Sequence, residues 1–255
     1  MTLLIYPDSE NGKKMLMHGG WADYHEMGFI KRYLRTHDHT LDVGANIGSY
    51  TLLLASCVGS SGGVDAFEPT PKNLRRLREN VAFNNLTNVK IHEQAVSNKD
   101  AMVSFRVDGD TQNGIELPHF RSCDKTRTIF VQSVTLDRTF LRHRKYALAK
   151  IDVEGAEYDV LHGARHGLSR GNPPVLLIEL RGHEERYGCN ASDIARFLRD
   201  RGYDFALYDY DDQMLTFTGN PWRSSSDFFA IARSKRDFVL SRLANRSKLM
   251  VTGRP

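Results

Sequence analysis

Leu41-Asp42-Val43-Gly44-Ala45-Asn46-Ile47-Gly48 is the stretch on which the fold turns. It reads as a strand end entering a glycine-punctuated turn and then an apolar helix, Tyr50 to Val58. Gly44 and Gly48 lack a Cβ and can take φ > 0, so backbone can approach a ligand closely there. The helix that follows turns free N–H groups and the positive end of its dipole toward the same place. A second short strand, Val64 to Phe67, ends in Glu68. An acid at the end of the second strand of a βαβ unit is placed to accept hydrogen bonds from ribose hydroxyls. The pattern calls for an adenosine-containing ligand.

A dinucleotide site would read G-x-G-x-x-G, with a third glycine for close helix packing beside a pyrophosphate. Here the order is Asp42-x-Gly44-x-Asn46-x-Gly48, with an acid ahead of the first glycine and Asn46 where a glycine would stand. An acid at the turn suits a ligand with an ammonium group better than a doubly negative pyrophosphate. S-adenosylmethionine carries that ammonium, a sulfonium and a ribose, so it is the expected ligand, ahead of NAD.

Composition sets the frame. A chain of 255 residues and 29.0 kDa has room for one α/β domain with a full core. Cys57, Cys123 and Cys189 are scattered and lack C-x-x-C spacing, which fits a reducing compartment and neither a disulfide frame nor a zinc site. No apolar stretch approaches the ~20 residues that span a bilayer, and no signal peptide is legible, so a cytoplasmic location is expected. The net charge of +4 is local: residues 234–255 carry +5 and the remaining residues −1. A uniformly basic groove is absent, which puts nucleic acid behind a small-molecule partner.

The chain divides into an N-terminal extension, residues 1–36, a ligand-binding domain, 37–233, and a basic tail, 234–255. The extension holds a short strand at Leu3–Tyr6, a turn at Asn11-Gly12, His18-Gly19-Gly20-Trp21 and a helix over Glu26–Arg35, and it would cover the ligand or shape the acceptor pocket. The tail reads as a solvated or frayed end, with a terminal helix docking Phe238, Leu243 and Leu249 as the alternative. From Thr40 strands and helices alternate, which favours a parallel sheet. Strands are expected at Thr40–Val43, Val64–Phe67, Val89–His92, Ala147–Val153 and Val175–Leu180, with a terminal hairpin of Phe205–Tyr210 and Asp227–Ala232. Val103–Val107 and Ile129–Val134 are further strands of weaker pattern. Thr70 and Pro71 open one helix. Ser192 or Asp193 caps another, with Ile194, Phe197 and Leu198 inward, and Gly202 stops it.

A second constellation is Lys150-Ile151-Asp152-Val153-Glu154-Gly155-Ala156-Glu157. By strand periodicity Asp152 and Glu154 leave the strand on one face. In open parallel sheets ligands sit beyond the carboxyl ends of the strands, which places both acids beside the ligand's reactive end. Glu157 follows Gly155 and opens a helix, where it complements the N-terminus. The next strand ends in Glu179, with Arg181 and His183 just beyond. Asp209, Asp211 and Asp212 read as turn acids.

Asp42 to Gly48, Phe67-Glu68-Pro69, Ala95-Val96-Ser97 and Lys150 to Glu157 stand in the order seen in FkbM-type methyltransferases, which the chain resembles from about Tyr24 to about Ala232. The resemblance implies a class I methyltransferase Rossmann-like fold: an α/β, seven-stranded, mostly parallel sheet with a terminal antiparallel hairpin. It also implies methyl transfer from S-adenosylmethionine to a hydroxyl of a sugar or macrolide-type natural product. By matching positions, Asp42, Gly44, Asn46 and Gly48 form the cofactor loop and Glu68 holds the ribose. Gln94, Ala95 and Asp152 complete the cofactor-binding set. The segment Asp108–Arg127 has no counterpart in the pattern.

An alcohol is a weak nucleophile until its proton is accepted, so a base is expected within reach of the acceptor. Asp152, Glu179 and His183 are the candidates, His183 because an imidazole titrates near neutrality. Asp152 and Glu154 could instead hold a divalent cation through oxygen ligands, or hydrogen-bond a polyhydroxylated acceptor. Two rivals share the loop: a nucleic-acid methyltransferase, which calls for a basic, aromatic-lined track, and a non-catalytic cofactor-binding protein, which has no use for Asp152, Glu154 and Glu179.

Overall fold

The computed structural model of the chain describes residues 1–17, 19, 23–107, 109, 113–116 and 127–252, less the side chains of Asn11, Lys14 and residues 245–252. Trp21, Cys123, most of the segment 108–127 and the side chains of Arg246, Lys248 and Leu249 lie outside that set. The N-terminal expectations shift: no strand forms at Leu3–Tyr6, and Asn11-Gly12 lies inside helix α1 (Glu10–Met17) rather than in a turn. Helix α2 spans Tyr24–Tyr33 and buries Phe29, Ile30 and Tyr33 completely. Leu34, in an extended conformation, ends it short of Arg35.

The alternation then runs as the pattern requires: β1 (His39–Val43), α3 (Ser49–Val58), β2 (Gly63–Phe67), α4 (Pro71–Phe83) and β3 (Val89–His92). An excursion follows in β4 (Ala95–Val96), β5 (Ala101–Val107), β6 (Gly114–Ile115) and β7 (Arg127–Val134). A π-helical turn at Asp137–Leu141 leads to β8 (Leu148–Ile151), α5 (Glu157–His162), α6 (Arg165–Leu168) and β9 (Val175–Glu179). Last come α7 (Ala191–Asp200), β10 (Tyr203–Asp209), β11 (Met214–Thr218), β12 (Asp227–Ala232) and α8 (Arg236–Thr252).

The main sheet has the order β11-β10-β12-β9-β8-β1-β2-β3. The five strands from β9 to β3 pair in parallel, and β12 enters antiparallel between β9 and β10. This is the class I methyltransferase arrangement with one strand more than expected. β10 and β12 do pair, but β11, in the connection between them, adds an eighth strand on the outer edge of β10. The weaker-pattern strands do not join this sheet. They form a second one, ordered β4-β7-β5-β6, with its own small core of Ala95, Val103, Phe105 and Val131.

The switch point lies between β1 and β8, where the chain leaves β1 for β2 on one side and later returns with β8 on the other. Both faces of the central strands are covered, so β8 and the first four residues of β9 are fully buried and read as continuous apolar runs. Lys150 is the exception in those runs. At the C-terminal end, α8 packs Val239 and Leu243 inward while Phe238 stays exposed. Arg242 forms a two-pronged pair with Asp38, and Arg32 and Arg35 donate to the carbonyls of Leu243 and Arg242. Over residues 236–244 the alternative reading of the tail, a docked helix, is the one that forms, through Val239 and Leu243 rather than Phe238.

Candidate active site

The carboxyl ends of the parallel strands and the loops leaving them enclose a cavity of about 450 Å³. β1 stops at Val43 because Gly44 turns the backbone into the left-handed region, φ 86°. A Cβ at Gly44 would lie 1.8 Å from the carbonyl oxygen of Asp152, so the strand ends of β1 and β8 approach as closely as only glycine allows. Asn46 is also left-handed, φ 51°, a conformation asparagine tolerates. Its backbone N–H donates to Glu68 Oε2 at 3.0 Å, while Glu68 Oε1 accepts the amide of Thr70 at 2.9 Å and its hydroxyl at 2.5 Å. One buried carboxylate thus ties the loop after β1 to the loop after β2.

Asp42 is wholly buried, and its Oδ2 accepts the hydroxyl of Thr51 at 2.6 Å. Its Oδ1 has no hydrogen-bond partner among the described residues, although Asp42 lines the cavity. Burial raises the pKa of both Asp42 and Glu68. Gly48 behaves differently from the rest of the loop. It sits before the first residue of α3 with its Cα turned to Leu77 and does not line the cavity.

The strand-periodicity argument for Asp152 and Glu154 fails, for a physical reason. β8 ends at Ile151, and the next residues form a turn in which Glu154 (φ 57°) and Gly155 (φ 114°) are left-handed. Glu157 Oε1 accepts the amides of Val153 at 3.0 Å and Gly155 at 3.2 Å, which holds that turn to the start of α5. The two acids consequently take different partners. Lys150 donates to Asp152 Oδ2 at 2.6 Å, whereas Glu154 Oε2 lies 3.0 Å from His183 Nδ1. Among the described residues, no three of His, Cys, Asp and Glu gather as a metal site. The turn acids behave as such, Asp209 accepting the amides of Asp211 and Asp212.

Lys150 is a cavity-lining residue that its neighbours in sequence did not single out. Its ammonium is buried, 4.8 Å from the centre of the Tyr50 ring. Register places Asp42 beside Lys150 and Asp227 opposite Glu179, so these groups belong to one face of the sheet with Asp152. Burial opposes a charged lysine, yet Asp152, Asp42 and Glu179 outweigh it and raise its pKa. Burial would likewise raise Asp152, but the adjacent ammonium and a proton shared from Glu179 hold its pKa below the ordinary value. Glu179 is driven the other way, first by burial and then by the Asp152 carboxylate, even with Arg181 paired against it. The pair thus divides its roles: Asp152 ionised, Glu179 protonated. The signal was available, since a lysine inside a run buried on both faces requires carboxylate partners.

The cavity brings together Asp42, Gly44, Asn46, Glu68, Gln94, Ala95, Asp152, Glu154, Glu179 and His183, every candidate site residue except Gly48. The extension contributes Asp23 and Met27, and the second sheet contributes Phe105 and Ile115.

A family model described as the methyltransferase FkbM domain matches residues 42–205. Among curated proteins the chain is similar to the 23S rRNA (uracil(1939)-C(5))-methyltransferase RlmD of Acinetobacter baylyi, 26% identical over 133 residues. It is also similar to Methyltransferase 1 of Beauveria bassiana, 28% identical over 142 residues. These matches take in 47% and 48% of this chain but only 29% and 57% of the relatives' lengths. Among solved structures it is similar to a methyltransferase FkbM from Methylobacillus flagellatus, at 15% identity and TM-score 0.47, covering 88% of this chain and 55% of that one. A SAM-dependent methyltransferase from Aquifex aeolicus is similar at 17% identity and TM-score 0.45, covering 82% and 88%.

Proposed function

This chain belongs to the FkbM methyltransferase family, and we propose that it transfers a methyl group from S-adenosylmethionine to a hydroxyl oxygen of a sugar or natural-product acceptor. The observation that carries the reading is one cavity holding both the Asp42–Glu68 loop and the Lys150–Asp152–Glu179 array. The residues fit the cofactor. The unpartnered Asp42 Oδ1, with Asp152 near it, suits a cationic amino-acid moiety. Glu68 Oε2, which accepts the Asn46 amide, has two lone pairs and so acceptor capacity for a ribose hydroxyl. Gln94 and Ala95 line the same space. The bound cofactor would supply an electrophilic methyl on positively charged sulfur.

The chain's own contribution is charge and a base. A carboxylate stabilised by a lysine is a weak base, which argues against Asp152 taking the acceptor's proton. His183 is better placed. With Nδ1–H donated to Glu154, its Nε2 is the accepting nitrogen, and the carboxylate stabilises the imidazolium that forms. Asp152 then holds the cofactor's charge, with Lys150 fixing its carboxylate. Phe105, Asn113 and Ile115 offer the acceptor a wall of mixed character.

The test is to incubate the protein with methyl-labelled S-adenosylmethionine and a panel of glycosides and macrolides, with and without EDTA, beside calorimetry with S-adenosylmethionine and NAD. Label on a hydroxyl oxygen supports the reading. NAD binding in place of the methyl donor sinks it, and activity abolished by EDTA would assign Asp152 or Glu154 to a metal. The similarity to RlmD favours a second reading, an RNA acceptor, which predicts RNA binding that weakens steeply with salt.

A further inference from the structure

A second concavity of about 450 Å³ opens between the π-helical turn at Asp137–Leu141 and α6, sharing no lining residue with the first. Among the described residues its lining includes Arg138, Arg142, Arg165, Arg170 and His166 against one acid, Asp137, and Arg170 donates to the Leu141 carbonyl at 3.4 Å. That carboxylate is already engaged. Its oxygens accept the backbone amides of His166 at 2.8 Å and Gly167 at 2.7 Å. Arg138 is bridged to Asp100 at 2.8 Å. Arg142 and Arg165 are exposed, and their guanidinium groups make no hydrogen bond or ion pair among the described residues.

Like charges drawn together from separate elements repel one another, and an anion between them relieves the repulsion. A π-helical turn is a rare backbone form found frequently at functional sites, and here it forms one wall. Arginine's planar fork matches phosphate oxygens two at a time. A single-stranded nucleic acid would call for aromatic rings interleaved with the charges, and among the described residues no aromatic side chain other than His166 lines this space. We propose that this concavity binds a compact phosphate-bearing ligand of the diphosphate type, gripped by Arg142 and Arg165.

The experiment titrates the full chain with inorganic pyrophosphate at low salt, beside the double variant R142E/R165E. Saturable binding to the unaltered chain is expected, weakened at least about tenfold in the variant, with the unfolding temperature unchanged. Absence of binding to the unaltered chain, or equal binding to the variant, overturns the proposal. So does sulfate binding as tightly at equal ionic strength, which would mean generic charge attraction. A single-stranded RNA of matched charge that binds more tightly than pyrophosphate, and is lost in the variant, also overturns it, because the occupant is then a polymer. Binding of S-adenosylmethionine is measured on the same samples. Its absence would strike the methyl-transfer reading and leave this one standing.

Discussion

Lys150 and His183 carry the sharpest consequences at the residue scale. Lys150 is the buried cation in the row with Asp42, Asp152, Glu179 and Asp227, so replacing it leaves carboxylates without compensation. Lys150→Met should destabilise the protein by about 3–5 kcal/mol near neutral pH, and by less in acid as the carboxyls take up protons. Urea denaturation at two pH values measures both parts, and a loss that does not vary with pH would contradict the account. His183→Gln should lower kcat by about 10²–10⁴ and leave S-adenosylmethionine affinity unchanged in calorimetry. Glu157 tests the turn after β8. Burial pushes its carboxyl up to about 7 from the ordinary 4.5, so the folded state holds a proton that the unfolded chain releases. Stability contributed by that proton is complete below pH 4.5 and is lost as pH rises through 7. The loss across that window is about 3 kcal/mol. Glu157→Gln keeps an acceptor for the Val153 and Gly155 amides but has no proton to release, so its stability should gain on the parent's by that amount as pH rises.

At the scale of elements, the closest approach in the fold is Gly44 against Asp152. A side chain there would strike backbone at 1.8 Å while forced into φ 86°, so β1 and β8 would have to separate. Gly44→Ala should destabilise by more than about 3 kcal/mol and abolish cofactor binding in whatever folded protein remains. Wild-type affinity in that variant would refute this geometry. The sequence revealed this turn because glycine, asparagine and acid residues at a strand end have few other uses. β9 was legible as an apolar run closed by an acid, and β1, β2 and β3 as short stretches rich in β-branched and apolar residues set between helices and turns. β11 was not legible: Met214, Thr216 and Phe217 are exposed at a sheet edge, so no alternation marks it. The second sheet was half legible. β5 and β7 alternate, but their partnership away from the main sheet depends on pairing across residues far apart in sequence. The strand expected to Val153 stops at Ile151, and the turn that follows was not legible because the left-handed backbone of Glu154 and Gly155 cannot be seen in a hydrophobic pattern.

At the scale of the molecule, α2 and α8, drawn from opposite parts of the sequence, pack against each other. α8 holds α2 through Arg32, which donates to the Leu243 carbonyl, and holds the segment after α2 through Arg35 and the Arg242–Asp38 pair, while Met27 of α2 and Asp23 just before it line the cavity. Deleting residues 236–255 should therefore lower the unfolding temperature by several degrees, on the order of 2–4 °C for each kcal/mol lost. It should also weaken S-adenosylmethionine binding, although no described residue of the deleted stretch lines the cavity. Unaltered affinity in a destabilised deletion would show that α2 holds its place without α8. The charged row reaches across β1, β8, β9 and β12, drawing on positions from 42 to 227. A lone substitution in such a row is harmful in either direction, whereas compensating changes preserve its balance. Inheritance at positions 42, 150, 152 and 179 should accordingly be collective, with relatives that have lost the ammonium having shed a carboxylate as well.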